Sequence, residues 1–271
     1  MIDTPDIEGM KERTKFVWGL GDYSGTAERF VGAADHLARN AGVAEGQRVL
    51  DVAAGNGNLA AAAARRGADV VACDLSPVMV ENGRARTSSE GLEVEWAEGD
   101  AEDLPFGGGA FDAALSVFGA FIAPRPEVAS RELFRVVRPG GTVGMVTWRP
   151  AGFMGAFFEV TDRYAPRAPG VPAQAEWGRE EVVRERFAPH SNEIEFDDGD
   201  VLWEFASAGE WQAFMERHSP PFVAAKAVLP AEGFEQLMAD VREVAEEHNS
   251  ATDGTVRIPA PYLVIVARKA A

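Results

Sequence analysis

The residues best suited to chemistry fall in one short stretch, Val49-Leu50-Asp51-Val52-Ala53-Ala54-Gly55-Asn56-Gly57-Asn58-Leu59-Ala60, where an apolar strand runs into a glycine turn and then a helix. Gly55 and Gly57 let the backbone take positive dihedrals and let a ligand come close, and the helix start behind them offers unpaired amides. Asp74 closes the next apolar run, where a carboxylate can accept hydrogen bonds from both hydroxyls of a ribose. Gly55, Gly57 and Ala60, with an acidic residue about 20 positions on, also satisfy the dinucleotide fingerprint, so a nicotinamide-dependent oxidoreductase has to be weighed. Against it, Asp51 puts a carboxylate inside the strand before the turn, where a pyrophosphate is repelled and a ligand's ammonium group is welcomed. The acidic stretch Glu98-Gly99-Asp100-Ala101-Glu102-Asp103-Leu104-Pro105-Phe106 suits an adenine amino group better than a phosphate. The pocket so described is anionic.

From Arg48 to Trp148 short β-rich runs alternate with helical stretches, the pattern of a parallel sheet covered on both faces. The spacing predicts strands at 48–53, 69–74, 92–97, 111–118 and 142–148, with helices at about 58–66, 77–90 and 125–137 between them. Ser76-Pro77 is a helix start signal and Pro139-Gly140-Gly141 a stop. Upstream, 25–40 reads as one amphipathic helix, preceded by the aromatic arm Phe16-Val17-Trp18-Gly19-Leu20-Gly21-Asp22-Tyr23. Downstream the alternation lapses. Helices are expected near 152–164, 179–187, 209–217 and 231–248, strands at 193–205 and 262–267, and a proline-broken connection at 165–172. Asp197-Asp198-Gly199-Asp200 reads as a hairpin-like turn within the sixth strand region, and the two helices before the last strand read as a cap.

The motifs together resemble class I S-adenosylmethionine (SAM)-dependent methyltransferases: Asp-x-x-x-Gly-x-Gly at Asp51 to Gly57, Asp74, Gly-Asp-Ala-Glu-Asp-Leu-Pro-Phe from Gly99, and Phe-Asp-Ala-Ala-Leu-Ser-Val-Phe from Phe111. They are most similar to the branch with the ubiquinone- and menaquinone-biosynthesis methyltransferases, over about 47–148. The ending from Asp253 to Pro259 resembles one bacterial subgroup without a single substrate. The resemblance implies an α/β, Rossmann-like, mostly parallel seven-stranded sheet with helices on both faces, an N-terminal lid and a helical cap before the last strand. It divides the chain into an arm and lid helix at 1–42, a SAM-binding core at 43–150, and the rest of the sheet with substrate-cap insertions at 151–271, all one elaborated domain. It also implies SAM as cofactor and S-adenosylhomocysteine as product. Asp51 and the turn from Ala53 through Gly55 and Gly57 to Asn58 then receive the methionyl portion, Asp74 the ribose, and Leu75 and Met79 the adenine face. Asp100, the Ala101 amide and neighbouring Glu102 meet the adenine edge, Ser116 lies beside the methionyl chain, and Phe118 faces the methyl. Ala53 departs from the family's usual first glycine.

Trp18 and Tyr23, beside Gly19, Gly21 and Gly25, are expected to form a hinged lid, and the aromatic second half points to an apolar or aromatic small-molecule acceptor. His218, beside Ser219-Pro220-Pro221, is the candidate acceptor base. The four histidines show no metal-like spacing, so no metal is expected. With 26 basic against 43 acidic side chains, a formal charge of -17 disfavours nucleic-acid and anionic-membrane partners. The single Cys73, the lack of a basic-then-apolar leader and the lack of a membrane-length apolar segment point to the cytoplasm. Monomer and homodimer both remain open, as does a SAM-binding protein that does not methylate.

Overall fold

Branched apolar runs build the centre of the sheet. In β1 (Arg48–Val52) and β2 (Asp69–Asp74) only the first residue is exposed, as befits strands covered on both faces. This is a computed structural model that describes residues 5–270, so the first four residues of the expected arm and the last residue of the third segment lie outside the described residues. Helices α1 (Ile7–Trp18), α2 (Ser24–Glu28) and α3 (Val31–Asn40) precede β1. Next come α4 (Asn58–Ala64), β2, α5 (Pro77–Ser89), β3 (Glu95–Glu98), β4 (Phe111–Val117), α6 (Pro126–Val136) and β5 (Val137–Trp148). The remainder is α7 (Phe153–Tyr164), α8 (Glu180–Phe187), β6 (Glu193–Phe205), α9 (Ala208–His218), α10 (Pro220–Val228), α11 (Ala231–His248) and β7 (Val256–Arg268).

The seven strands run in the order β3-β2-β1-β4-β5-β7-β6. Every pairing from β3 to β5 is parallel, while β7 is antiparallel to both β5 and β6. The chain reverses its direction of travel between β1 and β4, and beyond the carboxyl ends of these strands opens the crevice where α/β sheets bind ligands.

Four departures from the expected elements have local causes. The helix expected over 25–40 is broken at Arg29-Phe30, because Phe30 turns inward onto Phe118, Trp148 and Trp203 while the Arg29 guanidinium lies 4.2 Å from the Phe205 ring centroid. Asp197 to Asp200 form no hairpin; they pair without interruption with Val264 to Pro261. At a sheet edge these carboxylates can stay in water while the backbone completes its ladder, and Gly199 leaves room for the Tyr262 ring. β7 begins at Val256, earlier than 262, because Pro259 and Pro261 lie in an overhang paired only with β6, where a missing amide leaves no gap on the other side. Three helices instead of the expected two stand between β6 and β7, since Pro220 and Pro221 begin α10. Pro139-Gly140-Gly141 does follow the end of α6, but as a register shift entering β5.

Candidate functional site

The turn after β1 is shaped by left-handed backbone. Ala53, Gly55 and Gly57 all have positive φ, at 55°, 54° and 75°. At Gly57 a side chain is excluded twice, by the dihedral and by the Trp96 ring 2.9 Å from where a Cβ would stand. Ala53 has no such licence and holds a conformation that costs an L-residue about 1 kcal/mol.

Three strand tips bring carboxylates to one cavity, lined by Asp51, Asp74 and Asp100 together with Ala53, Gly55, Asn56, Asn58, Leu75, Met79, Ala101 and Phe118. Asp51 is buried in β1, accepts a 2.9 Å hydrogen bond from the Ala60 amide, and is pushed up to about 8 by burial. Asp74 is also raised by burial, against hydrogen bonds from the Ser76 (2.9 Å) and Gly55 (2.8 Å) amides that favour its charge. Neither carboxylate has a cationic partner among the described residues. Asn56 adds a buried side-chain carbonyl with no hydrogen-bond partner. A cavity offering unspent acceptors and uncompensated carboxylates complements a ligand rich in donors and positive charge.

Asp100 differs from the expected picture. Its Oδ2 lies 2.5 Å from the Lys11 ammonium on α1, and its Oδ1 accepts from the Glu102 amide at 2.8 Å. Burial alone lowers the Lys11 pKa, but Asp100 and Glu102 together hold it above its ordinary value. Lys11, Thr14 and Trp18 face the cavity from one side of α1, at the three- and four-residue spacing of a helix face, and that spacing was the available sequence signal for a residue sequence reasoning missed. Trp18 and Tyr23 meet edge to face at 5.2 Å over the same cavity, and the Tyr23 hydroxyl is raised by burial and by Asp74. With the arm in this position the cavity measures about 100 Å³, below the roughly 300–1,000 Å³ of ordinary ligand pockets.

Four expected site residues do not line this cavity: Gly57, whose backbone shapes the turn from behind, and Glu102, Ser116 and His218. The Glu102 carboxylate is fully buried between Lys11 (2.8 Å) and Arg125 (2.6 Å) and does not line the cavity, because two cations and the Arg125 amide already claim it. Ser116 lies behind the wall, its Oγ donating to the Val52 carbonyl at 2.7 Å and accepting from the Ala120 amide at 2.9 Å. His218 lines no large cavity; its Nδ1 is 2.7 Å from the Asp22 carbonyl and its ring tilts on Phe214, so it fastens α9 to the segment before α2.

Phe118, also at positive φ, stacks on Trp148 at 3.8 Å and borders a second cavity of about 570 Å³. Trp18, Tyr23, Phe30 and Phe118 line both cavities, so the two meet there. The second is walled by aromatic and aliphatic side chains from α1, α7, α10 and the proline-rich 165–172 connection. No His, Asp, Glu or Lys lines it among the described residues. No metal-ligating cluster is present among the described residues either.

Residues 49–141 match the family model described as a methyltransferase domain. The chain is 36% identical over 275 residues to the uncharacterized protein Rv1403c of Mycobacterium tuberculosis, covering 99% of both chains. A 98-residue stretch is 45% identical to a demethylmenaquinone methyltransferase of Clavibacter sepedonicus, covering 36% of this chain and 40% of that one. Among solved structures, the phosphoethanolamine N-methyltransferase 2 of Haemonchus contortus, in complex with phosphomonomethylethanolamine and S-adenosylhomocysteine, matches with a TM-score of 0.57. It is 18% identical over 89% of this chain and 53% of that one, so the likeness is one of fold.

Proposed function

This chain belongs to the class I SAM-dependent methyltransferase family, in a branch similar to the menaquinone-biosynthesis enzymes, and from that premise we propose that it moves a methyl group from SAM to a small apolar or aromatic acceptor. The observation that carries the reading is the junction at Phe118, where a carboxylate-lined cavity with unspent acceptors borders a largely apolar chamber. The donor set fits the cofactor. Asp51 and the backbone of Ala53 to Gly57 bind the methionyl end and Asp74 the ribose, with Leu75 and Met79 against the adenine and Asp100 and the Ala101 amide at its edge.

Bound SAM supplies a sulfonium-activated methyl group that is already reactive toward a nucleophile. The chain's part is therefore to align, desolvate and enclose. Trp18, Tyr23 and Phe118 present electron-rich ring faces to positive charge at the junction. An acceptor held against Phe118 is placed for in-line displacement, a gain of proximity worth up to about 7–11 kcal/mol in well-oriented systems. With no His or carboxylate lining the chamber among the described residues, the proposed reaction relies on alignment and desolvation instead of a side-chain general base of that kind. The arm carrying Lys11, Trp18 and Tyr23 acts as the lid: it swings out to admit the cofactor and closes through the Lys11–Asp100 pair. The same residues suit a small-molecule partner in the cytoplasm, where the buried Cys73 thiol stays reduced. Titration calorimetry with SAM and S-adenosylhomocysteine tests the cofactor, and mass spectrometry of products formed with methyl-labelled SAM tests the transfer. Absence of binding by both nucleosides at millimolar concentration defeats the proposal; binding without label transfer reduces it to a non-methylating SAM protein.

A further inference from the structure

Resting on the methyl-transfer reading, we infer that the acceptor carries a carboxylate, and that Arg186 in α8 receives it inside the aromatic chamber. In a chain with 43 acidic side chains, the charged residues lining the chamber among the described residues are all arginines: Arg13, Arg167 and Arg186. Arg13 and Arg167 are exposed, and Arg167 already spends its Nε on Asp162 and an Nη on the Val171 carbonyl. Arg186 is different. Its side chain is 7% exposed, and its Nη1 is buried with no hydrogen-bond partner. The nearest carboxylate, Glu127, is 68% exposed and stands 3.6 Å from Nε, leaving the far side of the fork unanswered. Burial pulls the guanidinium below its ordinary value, yet arginine keeps its proton, so the charge stays and calls for an anion.

A second orphan makes the same demand. The Trp203 indole Nε1, also buried and also in a chamber-lining residue, donates to nothing. The unpartnered buried side-chain atoms contributed by the chamber's lining are thus both donors, and a neutral hydrocarbon ligand leaves both unsatisfied. A carboxylate answers the guanidinium with two oxygens in a forked geometry. The Arg186 guanidinium already lies 4.5 Å over the Trp177 ring, so an aromatic acid would set its charge on the fork and its ring among the chamber's aromatics.

The test compares isosteric acids and amides by calorimetry on the full chain saturated with S-adenosylhomocysteine, using benzoate and benzamide, indole-3-acetate and indole-3-acetamide, and 1-naphthoate and 1-naphthamide. We expect at least one acid to bind ten-fold or more tightly than its amide. In R186M that preference should fall to within about threefold, less than half of a 1.4 kcal/mol decade. R186K, which keeps the charge without the fork, should retain part of it and guards against a variant that merely misfolds. No acid preference in any pair, including no binding at all, overturns the inference, as does a preference that survives in R186M. Retained S-adenosylhomocysteine binding in those cases leaves the methyl-transfer reading standing; its loss in the native chain sinks that reading instead.

Discussion

The two cavities that meet at Phe118 are built to opposite electrostatic rules. The first gathers Asp51, Asp74 and Asp100 at the tips of the sheet, and its orphaned atom, the Asn56 carbonyl, is an acceptor. Among the described residues the second has arginine as its only charged lining, and its orphaned atoms, on Arg186 and Trp203, are donors. Each cavity lacks what its ligand would bring. The difference teaches that one crevice can carry two complementary demands: acceptors and carboxylates on one side that suit a donor-rich ligand, and donors on the other that suit an acceptor-rich one, as the proposed function and the inference drawn from it require. Phe118, pinned against Trp148, is the partition that keeps the two rules apart.

The largest effect that could break this contrast is expected at Asp51. Its folded-state pKa of about 8 stands above the ordinary 3.8, so between those values the folded chain holds a proton that the unfolded chain has released. Stability therefore declines as pH rises through that window, and the Asp51→Asn chain, which can still accept from the Ala60 amide, should escape the decline. Its advantage in denaturant unfolding should grow by about 4 kcal/mol from pH 5 to pH 8, while SAM affinity falls. A pH-independent difference would place the Asp51 carboxyl in a solvated setting and remove the desolvated half of the contrast. Next comes the partition: Phe118→Ala should lose about 3 kcal/mol of stability, the usual cost of truncating a buried phenylalanine. Its affinity for S-adenosylhomocysteine should change by less than about threefold; a much larger loss would make Phe118 part of the cofactor grip. Asp74→Ala should weaken that affinity by about 1.5–3 kcal/mol, read by calorimetry, since hydroxyls then lose a charged acceptor. Unchanged affinity would move the nucleoside out of the anionic cavity. The smallest effect is at Ala53→Gly, where relief of the left-handed backbone outweighs added unfolded-state freedom and stability rises by about 0.5 kcal/mol. A lower melting temperature in that variant would mean Ala53 is held there by its methyl contacts.

Much of the sheet and the turn was legible because the deciding interactions are local. Strand, glycine bend and helix start at 48–64 are read from neighbouring residues, and the carboxylates at 51, 74 and 100 follow from their place at strand ends. Glu102 and Ser116 were misjudged for one shared reason: adjacency along the chain does not say which way a side chain turns on a buried element. Lys11 and Arg186 escaped notice because each acquires meaning only from groups distant in sequence, Asp100 for the one and Trp177 and an apolar chamber for the other. His218 drew attention as a titratable group beside the prolines that open α10, yet its ring is spent on Asp22 and Phe214, fastening α9 to the segment before α2.

The amino-acid order alone determined the alternation of strands and helices, the glycine bend, and the family, since period, turn chemistry and motif spacing are properties of short segments. Only the tertiary structure decided that Lys11 pairs with Asp100, that β7 continues through two prolines, and that a buried arginine lines the chamber beyond Phe118. Charge pairing and burial depend on distance through space, and the fold sets that distance independently of separation along the chain.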